Sequence, residues 1–204
     1  MRRMMVATLV IGALALPSTA RAADPRHPDW PCRQIKVPNL SVVAFWTNPP
    51  AIDKVGDAWT QDPAIHDLVL RLAARRTPIE EAEKAAGDFI TGTPEDKQRK
   101  AALLFAGLFA TLNHERNQVM DGIERYARRQ HELRDKIQAQ ITELHRAEDA
   151  NQDATAVEQL GDQVAWDTRV FDDRRRSIGY VCDVPATIER RLFALARAIQ
   201  QSLE

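Results

Sequence analysis

No proline stands between Pro94 and Pro185, a gap of ninety residues, and the whole 204-residue chain holds eight glycines. The strongest helix breaker is therefore missing from nearly half of the chain, and very long helices can form there unless they break at Gly107, Gly122, Gly161 or Gly179. Cysteine is scarce too: Cys32 and Cys182 are the two in the chain. Their separation has neither zinc-finger nor Cys-x-x-Cys character, which removes the commonest cysteine-based metal and redox motifs. The longest apolar stretch, Val6 to Leu16, spans eleven residues, whereas a membrane-crossing helix needs about 20. An excess of basic charge is lacking as well, with 28 Lys and Arg against 29 Asp and Glu, so nucleic acid is a poor partner. The sequence contains no Gly-rich phosphate loop, no Cys-x-x-Cys-His haem attachment and no nucleophile–base–acid series. Helical bundles that host catalysis use Glu-x-x-His pairs or similar, and none occurs here. Catalysis is the least supported class, and no cofactor is expected.

What is present begins with a leader. In MRRMMVATLVIGALALPSTARA, Arg2 and Arg3 precede the apolar stretch and Ala20-Arg21-Ala22 forms a small-x-small box. These are the three parts of a secretory signal peptide. Residues 1–22 are read as that leader, with cleavage after Ala22 and no transmembrane segment in the mature chain. No Cys follows the cleavage site, which argues against a lipoprotein. The leader carries three Arg and no acid, so the net charge of −1 becomes −4 on maturation. Arg outnumbers Lys 22 to 6, a bias typical of GC-rich bacterial genomes, and the expected compartment is the periplasm. In that oxidising space two lone cysteines predict one disulfide, Cys32–Cys182.

Residues 23–62 read as an extended strap. Six of the eleven prolines fall within 24–53, each fixing φ and removing a backbone donor. The segment is nonetheless too apolar for a free tail, with Trp30, Ile35, Val37, Leu40, Val42, Val43, Phe45 and Trp46. The expectation is that it lies along a helical body, with Trp30, Pro31 and Trp46 as its packing residues and the first two beside Cys32.

Residues 63–204 read as the helical domain. Asp62-Pro63, Thr77-Pro78 and Thr93-Pro94 each place a capping oxygen before a proline, and Thr77-Pro-Ile-Glu80 also fits a capping box. The predicted short helices are 63–76, burying Ile65, Leu68, Leu70 and Leu72, and 78–91, ended by Gly92. A heptad stripe runs from Leu112 to Leu144 and resumes from Leu160 to Ile199. Arms over 94–148 and 153–204, with a break near 182–185 and Asp183 as a cap, make a long antiparallel hairpin, or a compact bundle of about five helices. The fold class is all-α in either form. Pairing about residue 151 sets position n opposite 302 − n, which brings Gly179 beside Gly122 as a thin spot for the strap to cross.

The polar turn Asp149, Asn151, Asp153, Thr155 has the alternation of a calcium loop. Ala154 stands where that loop needs Gly and Leu160 where it needs its bidentate Glu, so the turn reads as a hairpin tip capped by Asp153 or Thr155. No two histidines lie three or four residues apart, and His131 and His145 are about 21 Å apart along a helix. The basic clusters Arg128-Arg129, Arg174-Arg175-Arg176 and Arg190-Arg191 are interleaved with acids, as on a solvated helix face. The leading functional reading is a non-catalytic periplasmic interaction protein: an accessory subunit, adaptor or chaperone-like holder. It would serve an unknown protein partner or self-associate through the heptad stripes. The alternative is a metal-holding protein drawing on His114, Met120, His131 or the turn at Asp149, Asn151 and Asp153.

Overall fold

The computed structural model describes residues 25–204; the predicted leader lies outside them. Helix accounts for 76% of the described residues and no strand occurs among them, in line with the all-α expectation. After a one-turn helix, α1 (Ile52–Val55), come α2 (Pro63–Ala73), α3 (Ile79–Phe89), α4 (Pro94–Asp149), α5 (Ala154–Cys182) and α6 (Val184–Gln201). No helix among them is long and apolar enough to cross a membrane.

The starts follow from local chemistry. Asp62 accepts from the amides of Ala64 and Ile65, Thr93 from that of Asp96, and Asp153 from those of Thr155 and Ala156. The Thr77 capping box does not form. Its hydroxyl donates to the Arg71 carbonyl at 2.8 Å, Pro78 stays extended (φ −52°, ψ 143°), and α3 starts at Ile79 without a side-chain cap. Both short helices are shorter than the spacing predicts. Leu70 is 48% exposed and Val69 takes its expected place in the core, because position 69 lies on the same face as Ile65 and Leu72.

α4 is a single helix of 56 residues, about 84 Å at 1.5 Å per residue. Its first half is the axis of the base. Leu103, Leu104, Phe105, Leu108 and Leu112 pack there with Ile65 and Leu72 of α2, Ala82 and Ala86 of α3, and Ile188, Leu192, Leu195 and Ile199 of α6. Gly107 permits the tightest approach: a Cβ there would meet Val69 Cγ2 at 2.6 Å and Trp59 Cδ2 at 2.9 Å. Beyond Ala127 the single fully buried position on α4 is Ala147, since a two-helix seam shields one face of each helix. Here α5 runs antiparallel to α4. The Tyr126 hydroxyl donates to the Arg174 carbonyl (2.8 Å) and Gln130 Nε2 to that of Phe171 (3.2 Å). The chain turns at residues 150–153, where Asn151 adopts a left-handed conformation, φ 49°, that Asn tolerates.

The hairpin and the bundle are thus not alternatives: one helix serves both. Gly122 does not interrupt α4, nor do Gly161 and Gly179 interrupt α5, and the return arm breaks at one residue, Asp183. Asp183 makes no side-chain cap; its carbonyl accepts from the Thr187 amide, so α5 passes into α6 with little pause. The 23–62 segment is not extended throughout. It contains turns of 3₁₀ helix at Val42–Ala44 and Ala58–Gln61 besides α1. Phe45 and Trp46 are buried, whereas Ile35, Val37 and Val43 are exposed.

Candidate functional site

The cysteines meet where the strap crosses the hairpin: Cys32 and Cys182 are disulfide-bonded, Cα–Cα 5.6 Å, across 150 residues. Trp30 Nε1 donates to the Gln34 carbonyl at 2.7 Å, folding the strap back on itself, and Gln34 Nε2 donates to the Cys182 carbonyl. Lys36 pairs with Glu124 and Asp29 with Arg128 at 3.1 Å. The firmest polar pin is Arg116, 2% exposed. Its guanidinium reaches Glu189 of α6 and donates to the Val37 carbonyl at 2.7 Å. A buried guanidinium needs such partners, and these three join strap, α4 and α6. Trp30 is half-buried, Pro31 exposed and Trp46 buried, its ring 5.0 Å from that of Phe105.

Further along, the polar members of the heptad stripe cross-link the seam. Asp167 is 7% exposed. It takes Lys136 at 2.9 Å, Gln140 Nε2 at 2.9 Å and Gln163 Nε2 at 3.0 Å. The hydrogen bond from Lys136, then those from Gln163 and Gln140, outweigh the loss of water and hold its carboxyl down to about 2. Burial works the other way on Tyr126 and raises its phenol, with the Arg174 charge opposing.

The strap does cross at the level of Gly122 and Gly179, but neither glycine makes the hairpin thin there. Nothing lies within 4 Å of a Cβ built at Gly179 and one at Gly122 would come no nearer than 3.8 Å to Arg125 Nη2, while Gly107, in the base, is the most crowded of the described glycines. Arg191, read as part of a solvated face, instead donates to the Leu72 carbonyl at 2.7 Å and the Thr77 carbonyl at 3.0 Å. It closes the end of α2, and burial depresses its pKa. Arg175 and Arg176 do pair with Asp172 and Asp173 on the surface of α5.

His114 and His131 are exposed and 17 positions apart on α4, about 25 Å. Asp149, Asn151 and Asp153 sit at the tip, where Asp153 is engaged as the α5 cap. Among the described residues no three His, Cys, Asp or Glu are grouped closely enough to hold a metal ion. What the stripes did not signal is the outer face of α5. Trp166 is 61% and Tyr180 81% exposed, and 14 residues bring both to one side of the helix, about 21 Å apart.

No protein-family model, curated protein or solved structure matches this chain.

Proposed function

We propose that the chain is an exported, non-catalytic helical interaction protein of the periplasm, an adaptor, accessory subunit or chaperone-like holder that presents its α4–α5 hairpin to a protein partner. One observation carries this reading. The outer face of α5 displays Trp166 and Tyr180 to solvent, with no other described element covering it, on a hairpin anchored in a well-packed base. Aromatic side chains spaced along a rigid helix are the anchors that protein interfaces favour. The strap and disulfide hold the root of the hairpin, so the displayed face keeps its orientation.

The test is site-specific photo-crosslinking in the native host. A photoreactive phenylalanine analogue replaces Trp166 or Tyr180 and, as a control, exposed Glu81 in the base. Discrete adducts from the two hairpin positions and none from position 81 support the reading; no adducts, or the same set from all three, overturn it. The export half is read separately. The intact mass of the protein from a periplasmic fraction should begin at Ala23, and a full-length cytoplasmic protein refutes it.

A further inference from the structure

Beside the disulfide, strap and hairpin leave a cleft of about 340 Å³, at the small end of the range of ligand clefts, about 300–1,000 Å³. Its floor is apolar: Tyr126 and Ala127 of α4, Phe171 and Ile178 of α5, with Pro31 of the strap as one wall. Its rim carries His131, Arg134 and Arg175, and no acidic residue lines it. The two acids paired with those arginines, Asp135 at 2.9 Å and Asp172 at 3.8 Å, lie outside the lining. Both guanidiniums are more than half exposed, so the pairs are weak and leave the arginines available to a second anion. Gln130 also lines the cleft, and its Oε1 has no hydrogen-bond partner.

We propose that this cleft binds a small apolar monocarboxylate, a medium-chain fatty acid or an arylalkanoate, with its hydrocarbon against Phe171, Tyr126 and Ile178 and its carboxylate at Arg134 and Arg175. The size admits no large ligand, and the floor gives a hydrocarbon body the burial it seeks. A guanidinium fork matches a carboxylate in geometry and charge. The disulfide has a role in this site, because it fixes Pro31, one residue away, as the wall. The site is separate from the face that carries Trp166 and Tyr180 and does not rest on a protein partner.

The test is calorimetric titration of the mature, oxidised chain with 3-phenylpropionate, with 3-phenylpropan-1-ol and 3-phenylpropylamine as neutral and cationic counterparts. Saturable one-site binding of the acid is expected, with the alcohol weaker by about tenfold or more and the amine weaker still. The double variant Arg134→Gln/Arg175→Gln should lose about the same factor for the acid and leave the alcohol unchanged. Both side chains are exposed, so its melting midpoint should stay that of the parent. Cys32→Ser/Cys182→Ser should weaken the acid while far-UV dichroism is retained. Equal affinity for acid and alcohol, an unaltered double variant, or no saturable binding would overturn the assignment.

Discussion

Replacing Gly107 with Ala and Gly179 with Ala should move stability in opposite directions, although both glycines lie inside long helices. At either position the helix gains about 1 kcal/mol from the better propensity of Ala. At Gly179 that gain stands alone, since nothing lies within 4 Å of the added methyl. At Gly107 the methyl falls 2.6 Å from Val69 Cγ2, 2.9 Å from Trp59 Cδ2 and 3.0 Å from Trp59 Cε3. Carbon pairs prefer about 3.5–4.0 Å, so α4 and α2 must part or the indole must turn. Trp59 is itself stacked on His66, ring centroids 5.8 Å apart, which leaves it little room. Overpacking of this kind costs about 1–3 kcal/mol, and the rigid neighbours put Gly107→Ala in the upper part of that range. Less the propensity gain, the net is a loss of about 1–2 kcal/mol. The two variants should then differ by about 2–3 kcal/mol, or roughly 4–12 °C in melting midpoint for a chain of this size. Thermal and urea melts followed by far-UV dichroism and by Trp fluorescence measure it. A Gly107→Ala protein as stable as the parent would refute the close approach of α4 to α2.

Other outcomes follow from the polar contacts. Reducing the disulfide should lower the midpoint, with about 5 kcal/mol as the ceiling for a closed loop of this length; an unchanged melt in reductant would deny the bridge. Because the Asp167 carboxyl is depressed to about 2, its contribution is complete above the ordinary Asp value near 4 and fades as pH falls toward 2. The stability gap between the parent and Asp167→Asn should therefore be constant from pH 7 to about 4 and close below it, and a gap that ignores pH would contradict the Lys136–Asp167 contact. Arg116→Ala should cost about 2–3 kcal/mol in urea unfolding, since it strips Glu189 and the Val37 carbonyl of their partner; a loss below about 0.5 kcal/mol would mean that the pin is slack. Divalent metals and chelators should leave the melting midpoint where it is, and a clear shift with one metal would revive the metal-holding alternative.

The helical plan was legible wherever the signal is local. Caps at Asp62, Thr93 and Asp153 and the apolar stripes determine where α2, α4 and α5 begin and which sides they bury. Even the register of the arms could be read from the turn: Gln130 meets Phe171 and Lys136 meets Asp167, close to n opposite 302 − n. What stayed hidden depends on the third dimension. Thr77 carries a capping signature, but the carbonyl of Arg71 lies within reach of its hydroxyl and takes it. Arg191 resembles any surface arginine until the open end of α2 is placed before it. Gly107 differs from Gly122 and Gly179 through its neighbours alone. The cleft escaped for the same reason, since Pro31, Phe171 and Arg134 share no pattern along the chain.

The bridge between Cys32 and Cys182 also closes a covalent ring. It encloses α1 through α5 and leaves α6 outside as a tail. The tip at residues 150–153 is exposed, the kind of site that proteases nick. One cut there, or anywhere from residue 33 to 181, opens the ring into a chain that is still a single molecule. The two fragments part only when the disulfide is reduced. As long as the bridge stays oxidised, the exposed tip can thus be severed without either piece drifting away, and the packed base keeps both ends in place.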